Sequence, residues 1–186
     1  MNDTERHNNT NTDDFAGQYK INENYRPIAE ALKEKYKELE YVPVSSIIFI
    51  DNVETKKKSK NSIVFAQVGK VPSKWADIIY QLTGTCYSFF IEVFKENTAE
   101  MSREQIIALL YHELRHIQLV EKKNGYEITI VNHEINDWIN MIDKLGHNWN
   151  STNNNIPDLL DKNVNWDNIM GPMNLFQDNP QLRIVK

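Results

Sequence analysis

The sequence predicts an α+β domain in which a small sheet packs against one long amphipathic helix. Three runs of apolar, β-branched or aromatic residues are typical of strands: 46–50, 62–68 and 87–94. Four stretches repeat apolar residues at spacings of three and four, as amphipathic helices do: 26–40, 72–82, 102–120 and 128–145. With 186 residues, the chain is long enough to bury one core without disulfides.

The first half of the chain is predicted to form a helix followed by two strands. Pro27 suits the first turn of the helix at 26–40, because the helix does not need its missing N–H there. The strands at 46–50 and 62–68 are separated by a basic polar loop. They are therefore predicted to form a hairpin.

The second half is predicted to be mainly helical after one strand. The helix at 72–82 ends before Gly84, and the strand at 87–94 carries aromatic residues on both faces, so we expect it to be covered. Ser102 and Gln105 form a capping-box pattern for the helix that runs to about Val120. After a turn at 122–125, a further helix is predicted over 128–145, ending at Gly146.

The ends of the chain are predicted to lie outside the main domain, which we place at 21–147. Residues 1–20 are polar and are predicted to be disordered. Residues 148–186 are Asn-rich and are predicted to form an irregular extension. Some of its apolar residues are expected to dock on the domain: Trp149, Trp166, Ile169, Leu175 and Phe176.

Composition narrows the class of protein. A formal net charge of -5 argues against a dedicated nucleic-acid binder, which usually carries a basic face. The single cysteine, Cys86, excludes an intrachain disulfide and a thiolate-rich metal site. Neither a secretory signal nor an apolar stretch long enough to span a membrane is found, so a cytoplasmic protein is expected. The oligomeric state is left open.

One motif carries chemistry: His112-Glu113-Leu114-Arg115-His116. Two histidines four residues apart lie on one face of a helix, one turn from each other. That spacing suits two nitrogen ligands of a tetrahedral zinc ion. Glu113 lies about 100° around the helix, inside an apolar arc, where an unpaired carboxylate is costly to bury. In zinc hydrolases with this motif, the Glu takes a proton from the attacking water.

A third protein ligand is expected from the region that follows. The candidates are His133, Glu134, Asp137 and His147. His133 is preferred, because on the predicted helix it lies opposite the apolar stripe, with Asp137 one turn further along the same side. Asp137 would then contact one of the ligand side chains and not the metal itself.

The motif and the segment His133-Glu134-Ile135-Asn136-Asp137-Trp138 resemble the putative phage metallopeptidase family. Trp75 and the strand at 87–92 also stand where that family has a tryptophan and a strand, so the resemblance covers roughly 62–142. It implies a phage or prophage peptidase with His112, His116 and His133 as metal ligands and Glu113 as the catalytic residue. The chain departs from the family pattern at Glu134, where an Asp is usual, and at Asn136, in a pair that is usually acidic.

These observations predict a zincin-like fold and zinc-dependent hydrolysis of a peptide or protein. Glu113 would act as the general base, and Tyr111 or Tyr126 would stabilise the oxyanion. An exposed edge of the strand before the motif helix would hold the peptide by β-augmentation. Two alternatives remain: a DNA-associated SprT-like protease, and a zincin scaffold that binds metal or a partner without catalysis.

Overall fold

The computed structural model describes residues 17–53, 58–59, 62–133, 137–151 and 154–160. The strands are β1 (Tyr19–Ile21), β2 (Ile47–Asn52), β3 (Lys58–Ser59), β4 (Ser62–Ile63), β5 (Ala66–Lys70), β6 (Phe89–Phe94), β7 (Ile117–Lys122) and β8 (Gly125–Ile130). The helices are α1 (Tyr25–Lys35), α2 (Ser73–Thr83), α3 (Lys95–Thr98), α4 (Arg103–Arg115) and α5 (Ile139–Leu145). Two short 3-10 turns, Lys37–Leu39 and Val44–Ser46, lie between α1 and β2.

A four-stranded mixed sheet, in the order β1-β2-β6-β5, forms the centre of the molecule. β2 and β6 are parallel, and the two outer pairs are antiparallel. Phe49 of β2 lies opposite Ile91 of β6, which lies opposite Val68 of β5. Alternate residues of these strands enter one core with the apolar residues of α1 and α4. The predicted α+β class is confirmed.

The second face of the sheet is only partly covered, and a glycine shapes it. The ring of Phe90 lies over Gly69, so that a Cβ at residue 69 would lie 2.2 Å from its Cζ atom. On the same face Glu92 is buried and accepts hydrogen bonds from the side-chain amides of Asn52 and Gln67. These hydrogen bonds join β6 to its neighbours β2 and β5.

Replacing Gly69 by Ala should destabilise the protein by about 1–3 kcal/mol, a usual cost of overpacking. The added methyl group would overlap the Phe90 ring, which must then leave its position. Denaturant unfolding of Gly69→Ala, Phe90→Leu and the double variant measures this effect. The double variant should lose less stability than the sum of the two single variants, and strictly additive losses would contradict the proposed overlap.

The predicted hairpin between residues 46–50 and 62–68 is wrong. β6 lies between β2 and β5, so the two strands are not neighbours. The parallel pairing of β2 with β6 buries both strands, which explains why their apolar residues are nearly continuous. The strand before the motif helix, β6, is therefore an inner strand, and β5 is the edge strand next to it.

The helix that carries the motif begins as predicted and ends earlier than predicted. The Ser102 hydroxyl accepts a bond from the Gln105 backbone N–H, and the Gln105 side chain accepts one from the Ser102 backbone N–H. The helix ends at Arg115 and not near Val120. Residues 117–122 form β7, which pairs with β8 in a two-stranded hairpin.

The predicted helix over 128–145 is wrong at its start. Residues up to Ile130 belong to β8, and among the described residues of this stretch only Ile139–Leu145 are helical, with Gly146 ending the helix as predicted. Lys122 pairs with Gly125, so Lys123 and Asn124 form the two-residue turn of the hairpin, and asparagine is a residue that turns favour. Gly125 has φ of +127°, which other residues rarely adopt.

The first and last described segments both contact the domain. β1 pairs with β2 and starts at Tyr19, while residues 1–16 lie outside the described residues. Beyond residue 147 the described chain has no helix or strand, yet Trp149, Leu159 and Leu160 are buried in the common core. The other apolar residues expected to dock, from Trp166 onwards, lie outside the described residues. None of the helices described here is both long and apolar enough to cross a membrane.

Candidate metal centre

The last turn of α4 supplies the first part of the site. His112, Glu113 and His116 occupy this turn and its C-terminal cap. Glu113 is only 5 % exposed, because its side of the helix faces the core. The shorter helix removes Ile117 and Val120 from the apolar arc, but Glu113 remains buried beside Leu109 and Leu114.

His133 reaches the site from a loop and not from a helix. The loop follows β8, and the β7–β8 hairpin carries the chain back to the end of α4. The backbone N–H of Val131 donates to the carbonyl of His116 at 2.8 Å, and Nδ1 of His116 lies 2.6 Å from the carbonyl oxygen of Val131. This pair of contacts joins the start of the loop to the helix and orients the His116 ring.

The three histidines converge on one point. Nε2 of His133 lies 2.8 Å from Nε2 of His112. The ring centroids are separated by 5.3 Å for His112 and His116, 4.6 Å for His112 and His133, and 4.4 Å for His116 and His133. One nitrogen from each ring falls within 4.8 Å of the other two. No other such group of three His, Cys, Asp or Glu is found among the residues that the structure describes.

Asp137 lies against His112 on the Nδ1 side of the ring, away from the point that the three histidines share. Its Oδ1 atom lies 2.9 Å from Nδ1 of His112, although the ring N–H is not directed at that oxygen. Its Oδ2 atom accepts a hydrogen bond from the indole N–H of Trp149 at 2.7 Å. The backbone N–H of Trp138 donates to Oδ1, also at 2.7 Å. Asp137 therefore lies on the Nδ1 side of His112, while Nε2 of His112 faces the shared point.

The electrostatics of the site favour neutral rings at His116 and His133 and an ionised Asp137. Burial and the rings of His112 and His116 lower the pKa of His133 to about 4, and burial lowers the pKa of His116. Burial alone would raise the pKa of Asp137, but His112, Trp149 and the backbone N–H of Trp138 lower it to about 2. Burial raises the pKa of Glu113 to about 7, against the lowering effect of His112.

The donor set fits a metal ion. Metal ligation requires neutral imidazole, which is the form that burial favours at His116 and His133. Since a zinc–nitrogen bond is about 2.0–2.1 Å long, nitrogens that share one ion lie a few ångströms apart, as these do. Such a His cluster could bind one metal ion.

An open cleft of about 440 Å³ runs past this centre. The edge strand β5 and the segment before it form one wall, and α4 with the His133 loop and residues 149–150 forms the other. Besides the motif residues, His133 and Asp137, its lining is mostly apolar or uncharged: Ile63, Val64, Phe65, Ala66, Gln67, Val68, Leu109, Ile130, Asn132, Trp149 and Asn150.

Comparison with known families gives one match. The family described as "putative phage metallopeptidase" matches residues 17–163, most of the chain. The chain belongs to this family. Comparisons with the curated proteins and with the solved structures gave no match. Membership in the phage metallopeptidase family implies a metal ion and a protein or peptide substrate.

The structure brings together four of the predicted site residues and the catalytic candidate: His112, His116, His133, Asp137 and Glu113. His147 is exposed and does not belong to the cluster. Glu134, the remaining candidate ligand, lies outside the described residues.

Neither tyrosine proposed for the oxyanion lies in the lining of the cleft. The Tyr111 ring is fully buried and its hydroxyl donates to Glu38, while Tyr126 is 72 % exposed on the hairpin. Tyr111 is therefore a structural residue whose hydroxyl is occupied elsewhere. The expectation for Tyr126 is likewise wrong, because the hairpin points its ring into solvent.

Two tryptophans, Trp138 and Trp149, frame the site, a position that was not predicted for either of them. The indole N–H of Trp138 donates to the carbonyl of His112 at 3.1 Å, and its ring lies 5.2 Å from His116 and 5.3 Å from His133. Trp149 bonds Asp137 and lies 6.0 Å from the His112 ring. A buried indole needs a partner for its N–H, and a tryptophan in an otherwise polar segment was the available signal.

Arg115, the fourth residue of the motif, packs its guanidinium group over the ring of Trp138. Its guanidinium carbon lies 4.6 Å from the Trp138 ring centroid, an arrangement typical of a cation–π contact. Its Nη1 atom donates to Asn140 at 2.6 Å and lies 3.8 Å from Glu38. The start of α5 and the end of α4 are thereby joined.

Proposed function

We propose that this protein is a zinc-dependent peptidase, encoded by a phage or prophage, that hydrolyses peptide bonds with Glu113 as the general base. The observation that carries the proposal is the convergence of His112, His116 and His133 beside a buried Glu113 in an open cleft. Family membership supports the same reading. The substrate is a peptide or protein.

The three imidazoles are the proposed zinc ligands. Imidazole suits zinc among other divalent metals, and catalytic zinc sites with three protein ligands keep one position open. Zinc bound there would supply a Lewis acid that lowers the pKa of water and polarises the scissile carbonyl. The cleft beside the histidines leaves room for a substrate to approach.

Glu113 is proposed to move the proton. Its carboxylate accepts a proton from the attacking water, whose oxygen forms a bond to the carbonyl carbon of the peptide. The carbon–nitrogen bond then breaks, and Glu113 returns the proton to the leaving amine, so that one water yields one carboxylic acid and one amine. Burial raises the pKa of Glu113 to about 7, and the charge of a zinc ion nearby would favour the carboxylate form that accepts the proton.

The edge strand β5 is proposed to bind the substrate backbone. Among the described strands, β5 pairs with β6 alone, and Ala66, Gln67 and Val68 line the cleft opposite the histidines. An extended peptide could add to this edge by main-chain hydrogen bonds. This replaces the earlier expectation for β6, since β6 is paired on both sides.

The zincin-like fold and the limits of the domain are also proposals. A mixed sheet with an antiparallel edge strand along the cleft and a motif helix behind it supports a zincin-like arrangement. We propose a main domain at 21–147, with 1–20 and 148–186 as flanking segments. Among the described residues, no observation favours a DNA-associated protease or a scaffold without catalysis.

The proposal is tested by incubating the purified protein with a mixed peptide library and identifying the products by mass spectrometry. Cleavage should stop when a chelator removes the metal and should return when zinc is added. A chelator already saturated with zinc is the control and should not inhibit. Cleavage by the metal-free protein would refute the proposed mechanism.

A further inference from the structure

Trp149 lies in the irregular segment after α5, yet it is held as firmly as a core residue. Only 2 % of it is exposed. The side-chain amide of Gln105 donates to the carbonyl of Trp149 at 2.9 Å and to that of Ser151 at 2.8 Å. Gln105 is itself 1 % exposed and forms the capping box of α4. The helix that carries the motif therefore also anchors this segment.

The indole of Trp149 contacts the site through one polar atom. Its N–H donates to Oδ2 of Asp137 at 2.7 Å, and the other oxygen of that carboxylate lies 2.9 Å from Nδ1 of His112. Among the described residues, three contacts position the Asp137 carboxylate. These are the bond from Trp149, the approach to His112 and the backbone N–H of Trp138.

We propose that Trp149 is a positioning residue of the metal centre, which acts by holding the Asp137 carboxylate against His112. A carboxylate on the remote nitrogen of a ligating histidine fixes the orientation of the ring and raises its basicity. Without the indole N–H, Oδ2 would lose a partner in a half-buried place, and the carboxylate would be free to rotate. The proposal rests on the proposed metal site and does not need peptidase activity.

The test is the zinc affinity of Trp149→Phe, measured by competition with a chromophoric chelator. Phe retains an aromatic ring but cannot donate a hydrogen bond. The affinity should fall by about 10-fold, at the lower end of the range for outer partners of metal ligands. Trp75→Phe is the matched control, because Trp75 is 55 % exposed on α2 and should leave the affinity unchanged. An unchanged affinity in Trp149→Phe would overturn the proposal.

A double-mutant cycle with Asp137→Asn separates positioning from a general structural role. If Trp149 acts through Asp137, then Trp149→Phe should change the zinc affinity less than about 2-fold in the Asp137→Asn background. Equal effects of Trp149→Phe in both backgrounds would contradict the proposal. Thermal unfolding of the metal-free variants checks the fold, and Trp149→Met serves as a second variant if Phe unfolds the chain.

The outcomes for this inference and for the proposed function are distinct, because zinc binding is measured without turnover. A protein that shows the expected affinities and cleaves no peptide would leave the role of Trp149 intact and refute the peptidase. An active peptidase whose Trp149→Phe variant binds zinc as tightly as the parent would refute this inference alone.

Discussion

Replacing Glu113 by Gln should lower peptidase activity by a factor of about 10² or more while the protein remains folded and retains zinc. Gln retains the size and hydrogen-bonding capacity of Glu but cannot accept the proton of the attacking water. The side chain is buried and lines the cleft, so a change of shape would disturb the core, whereas an isosteric change should not. Initial rates on a cleaved peptide, together with zinc content, measure the effect.

Glu104→Gln provides the control for this variant. Glu104 lies in the first turn of the same helix, more than two turns from the motif, and has no place in the cleft lining. Its replacement should alter stability slightly, because a carboxylate near a helix N-terminus is favourable, and should leave the rate unchanged. A Glu113→Gln variant as active as the parent would refute the role of Glu113 as general base.

Single replacement of His112, His116 or His133 by Ala should reduce zinc affinity more than any other change at the site. Each variant leaves two imidazoles, which make a poor site for zinc. Losses should therefore exceed the roughly 10–100-fold typical of outer partners, and Asp137→Asn should fall within that lower range. Chelator competition on the four variants gives the order directly.

His147→Ala is the matched control, because His147 is exposed and does not belong to the cluster. It should bind zinc as the parent does. The comparison of His133 with Asp137 decides the third ligand. Tight zinc binding in His133→Ala, combined with loss of zinc in Asp137→Asn, would show that the carboxylate and not the imidazole is the ligand.

The region that matches the family model is longer than the region of resemblance seen in the sequence. The family match runs from residue 17 to residue 163 and so includes β5, the His133 loop and the segment with Trp149. The resemblance seen in the sequence covered only about 62–142. Part of each flanking segment, 17–20 and 148–163, therefore belongs to the matched region. Within these parts β1 pairs with β2, and Trp149, Leu159 and Leu160 are buried.

Local signals in the sequence were sufficient for the start of the motif helix and the relation between His112 and His116. A capping box and a spacing of four depend only on neighbouring residues, and the structure contains both. The same holds for α2, whose predicted limits differ from Ser73–Thr83 by one residue at each end. For α2 and α4, local sequence signals were therefore enough to predict where the helix lies or begins and which side chains share a face.

The tertiary structure alone decided where His133 lies and which strand borders the cleft. The run from Ile117 to Val120 fits both a helical and an alternating period, so its local pattern is ambiguous. Pairing with residues 125–130 selects the strand, and the hairpin then delivers His133 to the end of α4. The insertion of β6 between β2 and β5 is likewise a choice of partners distant in sequence. Such pairings are stabilised by contacts that no local window contains, and the same is true of the bond from Trp149 to Asp137.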